Sequence, residues 1–333
     1  MRIVVTGAAG FIGSNFVRLL CQDAGHEVVA FDALTYAGNR HNLDGVLPPE
    51  RIVQGDVRHP AEVRGVLEGA DVVVHMAAES HVDRSIQGAL PFVETNVVGM
   101  QVMLDVAREV GIRRFVAVST DEVYGSLGPE GSFTESSPVA PNSPYAASKA
   151  AGDLLALAAH HTFGLPIIVT RCGNNFGPYQ FPEKLIPLTI LRAMRREPIP
   201  VYGDGSNVRD WIHVEDHCRA ILRVLEAGVP GRVYNIGGGG ERSNVEVVRA
   251  ILKLLGAPES LIRFVPDRLG HDFRYAIDST RLQTELGWER RWSFEEGLAD
   301  TVRWYQTQEQ WWRTVLSGEY RAYVAKQYGV VGG

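Results

Sequence analysis

The stretch S-T-D-E-V-Y-G, Ser119 to Gly125, sets two carboxylates side by side, Asp121 and Glu122, directly after the apolar run Phe115-Val116-Ala117-Val118. The run reads as a buried strand, so the acids stand at its carboxyl end. A reaction that removes a proton from one carbon and expels a hydroxyl from the next needs a base and an acid at neighbouring positions. Two like charges a few ångströms apart in a partly dry pocket do not easily both ionise, so one pKa rises. The same pair would also make a solvated turn with the aspartate as a helix cap, and its surroundings must decide. Downstream, Tyr145 and Lys149 form Y-x-x-x-K. On a helix, positions i and i+4 share a face. An ammonium beside a phenol stabilises phenolate, so Tyr145 can act as a base near neutral pH. Ser119-Thr120 at the strand end adds hydroxyls to the set.

Positioning such groups takes a rigid frame, and the first half of the chain supplies one. Short β-branched runs alternate with helical patterns. The strands are Ile3 to Val5, Glu27 to Phe31, Arg51 to Gln54, Asp71 to His75, Phe115 to Ser119 and Pro166 to Arg171. The spacing predicts helices over about 13–22, 91–110 and 145–163. Nearly all-apolar strands in regular alternation imply a parallel sheet covered on both faces, with ligands at the carboxyl ends of its strands. The expected fold is therefore α/β, a Rossmann-type doubly wound parallel sheet. Strand one runs into T-G-A-A-G-F-I-G, with glycines at Gly7, Gly10 and Gly13. Glycine permits positive φ and close backbone approach, and the following helix points its N–H groups at an anion. The triplet alone would also serve a plain tight turn. Asp32 ends strand two about twenty residues on, where an acid takes ribose hydroxyls. A carboxylate there repels a 2′-phosphate, so the expected cofactor is NAD rather than NADP. Lys149 could also hydrogen-bond the nicotinamide ribose. Asp56, before Val57, could cap a helix or touch adenine.

After about Arg171 prolines and glycines become frequent and the helices read as shorter pieces. All tryptophans but Trp211 lie at or beyond Trp288. This predicts a dinucleotide-binding domain over 1–171 and a smaller substrate lobe over 172–333. Val233 to Ile236 would be a strand returning to the main sheet. The 333 residues carry net charge −6, with 45% hydrophobic and 22% charged residues. That is an ordinary globular balance with no basic footprint for nucleic acid. Three scattered cysteines, Cys21, Cys172 and Cys218, argue against a disulfide framework or a zinc site and fit a reducing cytoplasm. The chain enters a strand directly after Met1-Arg2, and no apolar run is long enough to span a bilayer. The expectation is a cytoplasmic protein without a metal.

The glycine turn, Asp32, H-M-A-A, Ser119-Thr120 and Y-x-x-x-K resemble the extended short-chain dehydrogenase/reductase superfamily. F-D-A-L-T-Y-A-G-N, A-A-E-S-H-V-D-R-S, T-D-E-V-Y-G, N-S-P-Y-A-A-S-K, N-N-F-G-P-Y-Q-F-P-E-K-L-I-P and R-D-W-I-H-V-E-D-H resemble its nucleotide-glucose 4,6-dehydratases over almost the whole chain. The acid pair separates them from related epimerases. The resemblance implies that Tyr145 removes the C4 hydroxyl proton while the C4 hydride passes to NAD. The new ketone acidifies C5, Glu122 takes the C5 proton, Asp121 protonates the departing C6 hydroxyl, and the hydride returns to C6. Thr120 would position the C4 oxygen. Cofactor contacts are implied at Gly7, Gly10, Phe11, Ile12, Gly13, Asp32, Ala33, Leu34, Thr35, Asp56, Val57, Ala77, Ala78, Ser80, Thr95, Tyr145, Lys149 and Asn175. The nucleotide sugar would meet Ser80, His81, Thr120, Asp121, Glu122, Asn174, Lys184, Leu185, Pro200, Tyr202, Arg209, Asn244, Arg268, His271 and Tyr275. A pyrophosphate suits arginine forks, and Tyr202 offers a face to a pyrimidine, with thymidine favoured over uridine by resemblance. A homodimer pairing through the helices near 91–110 and 145–163 is implied as well.

Two positions depart from the pattern: Ala8 stands where many relatives have glycine, and Leu269 replaces the proline of R-P-G-H-D. Two other readings stand beside the dehydratase. One is an epimerase or decarboxylase working through the same 4-keto intermediate. The other is a nucleotide-sensing protein that binds without turnover.

Overall fold

The computed structural model describes residues 1–22 and 25–316. Residues 317–333, the end of the expected second lobe, lie outside the described residues. The first half alternates β1 (Arg2–Thr6), α1 (Phe11–Leu20), β2 (Glu27–Asp32), β3 (Ile52–Gln54), α2 (Pro60–Leu67), β4 (Val72–His75), α3 (Val82–Gln87), α4 (Leu90–Val93), α5 (Gly99–Val110), β5 (Arg114–Thr120), α6 (Pro144–Phe163) and β6 (Ile167–Cys172). The rest runs β7 (Asn174–Phe176), α7 (Leu185–Met194), β8 (Ile199–Tyr202), β9 (Val208–His213), α8 (Val214–Ala227), β10 (Val233–Ile236), β11 (Glu241–Ser243), α9 (Asn244–Leu254), β12 (Ile262–Val265), α10 (Thr280–Leu286), α11 (Phe294–Thr307) and α12 (Glu309–Val315).

Seven strands form a parallel sheet in the order β10-β6-β5-β4-β1-β2-β3. Strand period explains its near-continuous apolar runs. Ile3 and Val5 enter the core on one face and Val4 the core on the other; Val72 and Val74 part from Val73 in the same way. Strand succession reverses at β1, which lies between β2 and β4, and such a switch point opens a crevice at the carboxyl ends. Val233–Ile236 does return to this sheet, pairing in parallel with β6. Smaller sheets β11-β9-β7 and β12-β8 stand beyond it.

Local signals set the element ends. The first helix begins at Phe11, not Gly13, because Gly10 already serves as its N-cap. Ser143 caps α6, its Oγ accepting the Ala146 N–H at 3.1 Å, with Pro144 at the first helical position. Gly164 at φ 71° ends it. The buried Arg171–Asp153 ion pair, 2.9 Å, fastens α6 to β6. Removing one partner of such a pair costs about 3–5 kcal/mol. The helix expected over 91–110 is present, but it contains a π turn, Glu94–Val98, between α4 and α5. The turn carries Asn96 inward, where its amide meets the Glu79 N–H and C=O and the Ser148 hydroxyl. Beyond 171 the helices are not uniformly short: α8 and α11 have 14 residues each. Among the described residues no helix is long and apolar enough to cross a membrane.

Candidate active site

A cavity of about 660 Å³ runs along the carboxyl ends of the central strands. Such a volume suits a sizeable organic ligand. Of the expected site residues, all line it except Leu34, Asp121 and Tyr275.

The glycine turn forms one end. Gly7 has φ 66°, and a Cβ there would stand 2.7 Å from the Ala77 nitrogen. A Cβ on Gly13 would come 2.1 Å from the Gly7 oxygen. Ala8 fits without strain: among the described non-glycine residues only Leu34, Tyr179 and Arg196 have positive φ. The α1 N-terminus lacks a side-chain cap, leaving its N–H groups for an anion. The Asp32 carboxylate accepts the Ala9 N–H at 2.9 Å and the Leu34 N–H at 2.8 Å. Burial lifts its pKa, and those two bonds oppose the lift. Lone pairs remain on both oxygens for a ribose diol. These features fit a dinucleotide. Asp56 accepts the Arg58 N–H at 2.9 Å and pairs with the Arg58 guanidinium at 2.6 Å, which lowers its pKa.

The reacting groups meet where β5 ends. Thr120 is its last residue and caps the short 3-10 turn Asp121–Tyr124, accepting the Glu122 N–H at 3.3 Å. Gly125, φ 85°, closes the turn where a Cβ would strike the Ala140 carbonyl oxygen at 2.3 Å. Asp121 is buried behind Thr120, whose hydroxyl donates to Asp121 Oδ1 at 3.3 Å; Oδ2 has no hydrogen-bond partner. Burial, then the charges of Glu122 and Asp210, push the Asp121 carboxyl well above the usual range. Burial raises Glu122 as well, but Arg268, Lys184 and Arg209 oppose it. The Tyr145 phenol is lifted well above its ordinary value by burial and the Glu122 charge. Lys149 donates to the Val118 carbonyl at 2.8 Å, and burial lowers its pKa.

Opposite lies a polar wall. Buried Asn174 Oδ1 has no hydrogen-bond partner. Asn175 Oδ1 faces His217 Nδ1 at 2.9 Å, and burial holds that imidazole neutral, with a pKa of about 3. Lys184 Nζ donates to the Ser80 carbonyl at 3.0 Å. Arg209 donates to the Asp272 carbonyl at 3.0 Å and lies 4.4 Å over the Tyr275 ring. Tyr275 thus forms a floor under Arg209, its hydroxyl held by Asp272 at 2.5 Å. Tyr202 donates to Asp83 at 3.0 Å, and Arg268 Nη1 stands 3.6 Å from the same carboxylate. His271 pairs with Asp267 at 2.5 Å.

The GDP-mannose 4,6 dehydratase family matches residues 4–301. A dTDP-glucose 4,6-dehydratase of Streptomyces niveus is 54% identical over 324 residues, 95% of this chain and 96% of that protein. The chain belongs to the dTDP-glucose 4,6-dehydratase family. A crystal structure of such a dehydratase from Streptomyces venezuelae, with NAD and TDP bound, superposes at TM-score 0.92 with 53% identity, covering 95% of this chain and 100% of that one. A UDP-glucose 4-epimerase of Thermus thermophilus in complex with NAD shares the fold at TM-score 0.86 but only 31% identity, covering 92% and 100%.

Several cavity-lining charges in this member of the dehydratase family escaped the sequence reading: Arg58, Glu79, Asp83 and Glu183. Asp83 and Glu183 sit inside the quoted motifs V-D-R-S and F-P-E-K. Each stands beside a basic residue, Arg84 or Lys184, as an ordinary surface charge would, and its hydrogen-bond partner, Tyr202 or Tyr36, lies far away in the chain.

Proposed function

We propose that this chain is a dTDP-glucose 4,6-dehydratase, a hydro-lyase that converts dTDP-glucose to dTDP-4-keto-6-deoxyglucose and water. The observation that carries the reading is the acid pair at the end of β5, Asp121 buried and Glu122 half-buried, where Glu122, Tyr145 and Lys149 line one cavity with the glycine turn. NAD would be held by the glycine turn, the α1 N-terminus and Asp32, and when bound it supplies a cationic nicotinamide, a hydride acceptor for C4 and a hydride donor for C6.

Tyr145 takes the C4 hydroxyl proton as its phenolate, a form that the Lys149 ammonium and the positive charge of a bound nicotinamide would favour against burial and Glu122, and Thr120 orients that oxygen. A C4 ketone makes the C5 proton acidic enough for a carboxylate to remove. Glu122 faces Arg268, Lys184 and Arg209, so it is the member of the pair that ionises and takes this proton. Asp121 keeps its proton and gives it to the leaving C6 hydroxyl, which requires its side chain to turn past Thr120 into the cavity. Glu122 returns a proton to C5 as C6 becomes a methyl group. The arginines Arg209 and Arg268 grip the diphosphate, and Tyr202 lies against the pyrimidine.

The finer assignments rest on the same reading. Residues 1–171 mainly bind the dinucleotide and 172–333 mainly the nucleotide sugar. The chain pairs as a homodimer through α5 and α6, a reading supported by exposed Leu90, Val93, Val98, Leu154 and Phe163 on and around those helices. A cytoplasmic location is supported by its three free cysteines. The test is dTDP-glucose in heavy water with Asp121→Asn and Glu122→Gln. Asp121→Asn should exchange C5 hydrogen while forming little product; Glu122→Gln should do neither. Identical behaviour of the two variants would overturn the division of roles.

A further inference from the structure

A carboxylate that the mechanism does not use, Glu183, lies buried in the cavity wall just before Lys184. Its Oε1 accepts the Tyr36 hydroxyl at 3.1 Å, across 147 residues of chain. Its Oε2 stands 3.6 Å from Arg84 Nε and 3.9 Å from His81 Nε2. The Arg84 guanidinium in turn lies over the Tyr36 ring at 3.6 Å, and Phe181 meets that ring edge-on at 5.6 Å. Side chains from two distant segments thus converge on one tyrosine.

Tyr36 is the tip of the loop that follows Asp32. The base of that loop is fixed: Leu34 N–H bonds Asp32, Gly38 N–H bonds the Thr35 carbonyl, and Asn39 N–H bonds the Ala9 carbonyl. Leu34 holds φ 53°, an uncommon conformation for a residue with a side chain. Ala33, Thr35, Ala37 and Gly38 of the loop line the cavity beside Asp32, while Phe181, Glu183 and Lys184 line it on the sugar side. The Tyr36–Glu183 contact therefore ties the cofactor side of the cavity to the sugar side.

We infer that Glu183 is a positioning residue that fastens the 33–39 loop through Tyr36 and thereby sets how slowly the dinucleotide leaves. The inference rests on the reading of this cavity as a NAD site. Burial pushes the Glu183 carboxyl up to about 7, against the pull of Lys184 and Arg84, as befits an acid held in a wall rather than in water. Neither Tyr36 nor Glu183 need touch the reacting carbons for the fastening to act; it restrains the loop that covers the ribose acid.

The test is exchange of bound NAD against isotopically labelled NAD, followed by mass spectrometry on the full chain. Tyr36→Phe removes one oxygen and keeps the ring under Arg84. It should speed exchange by up to about tenfold, the upper scale of one ordinary hydrogen bond. Glu183→Gln should speed exchange as well. In the Tyr36→Phe background Glu183→Gln should add nothing, the non-additivity of a single shared contact. Additive effects would mean two separate loosenings of the fold and would overturn the fastening, as would exchange at the wild-type rate in both variants. A wild-type chain that releases no NAD on denaturation and takes up no labelled NAD would overturn the cofactor reading itself, and the fastening with it.

Discussion

Asp121 faces one guanidinium, that of Arg209, against the carboxylates of Glu122 and Asp210. Glu122 faces Arg268, Lys184 and Arg209, with the carboxylate of Asp272 acting against them more weakly. Burial raises both, so the arrangement of cations decides which acid gives up its proton. The acid side of the kcat–pH profile should therefore fall above the ordinary carboxylate range of about 4, because Glu122 must be ionised to act. A profile flat down to that range would contradict the assignment. Tyr145→Phe should lower kcat by about a hundredfold or more, the usual scale for a general base. A loss of less than a few-fold in steady-state turnover would remove Tyr145 from the mechanism. The residue types of this site were legible because adjacent acids after an apolar run, and Y-x-x-x-K on a helix, are local patterns. Their electrostatics were not. Tyr145 sits with its phenol raised by Glu122, a neighbour 23 positions away in sequence, 145 against 122, and no local pattern carries that.

At the level of elements, the glycine turn depends on space as much as on conformation. Gly13→Ala would drive a methyl to 2.1 Å from the Gly7 oxygen, which is backbone and cannot yield without opening the turn. The variant should fold but purify with little or no NAD, as measured by nucleotide released on denaturation; full occupancy would contradict the role of the turn. Ser143→Ala removes the α6 cap and should cost about 1 kcal/mol in denaturant unfolding. Element types and most boundaries followed from period and composition: short apolar runs became strands, and the helix expected over 145–163 spans Pro144–Phe163. The π turn at Glu94–Val98 did not follow. It carries Asn96 to the backbone of Glu79 and to Ser148, and the Ser148 bond forms only once α6 has packed. Asp83 and Glu183 escaped for the same reason, since their partners Tyr202 and Tyr36 lie 119 and 147 residues away.

For the molecule as a whole, opposing buried groups shape the pH dependence of stability. His75 and His217, with pKa values of about 3, and His213, at about 4, are held neutral by burial. Their folded pKa values lie below the unfolded value of about 6.5, so the unfolded chain binds more protons and stability is lost as pH falls below that value. Glu183, at about 7, and Asp210, at about 6, act the other way: the folded chain holds their protons, so their contribution is lost as pH rises. Glu183→Gln should therefore make the unfolding midpoint fall more steeply between about pH 7 and 5. A slope unchanged from wild type would contradict a raised Glu183. Assembly is tested by light scattering, where a dimer is expected and a monomer would refute pairing through α5 and α6. The central claim, that this one chain oxidises, dehydrates and reduces its substrate with a cofactor it retains, is tested most directly by mass spectrometry of dTDP-glucose incubated with the purified protein and no added NAD. The product should be a sugar nucleotide lighter by one water; an unchanged mass, with or without added NAD, would contradict the claim.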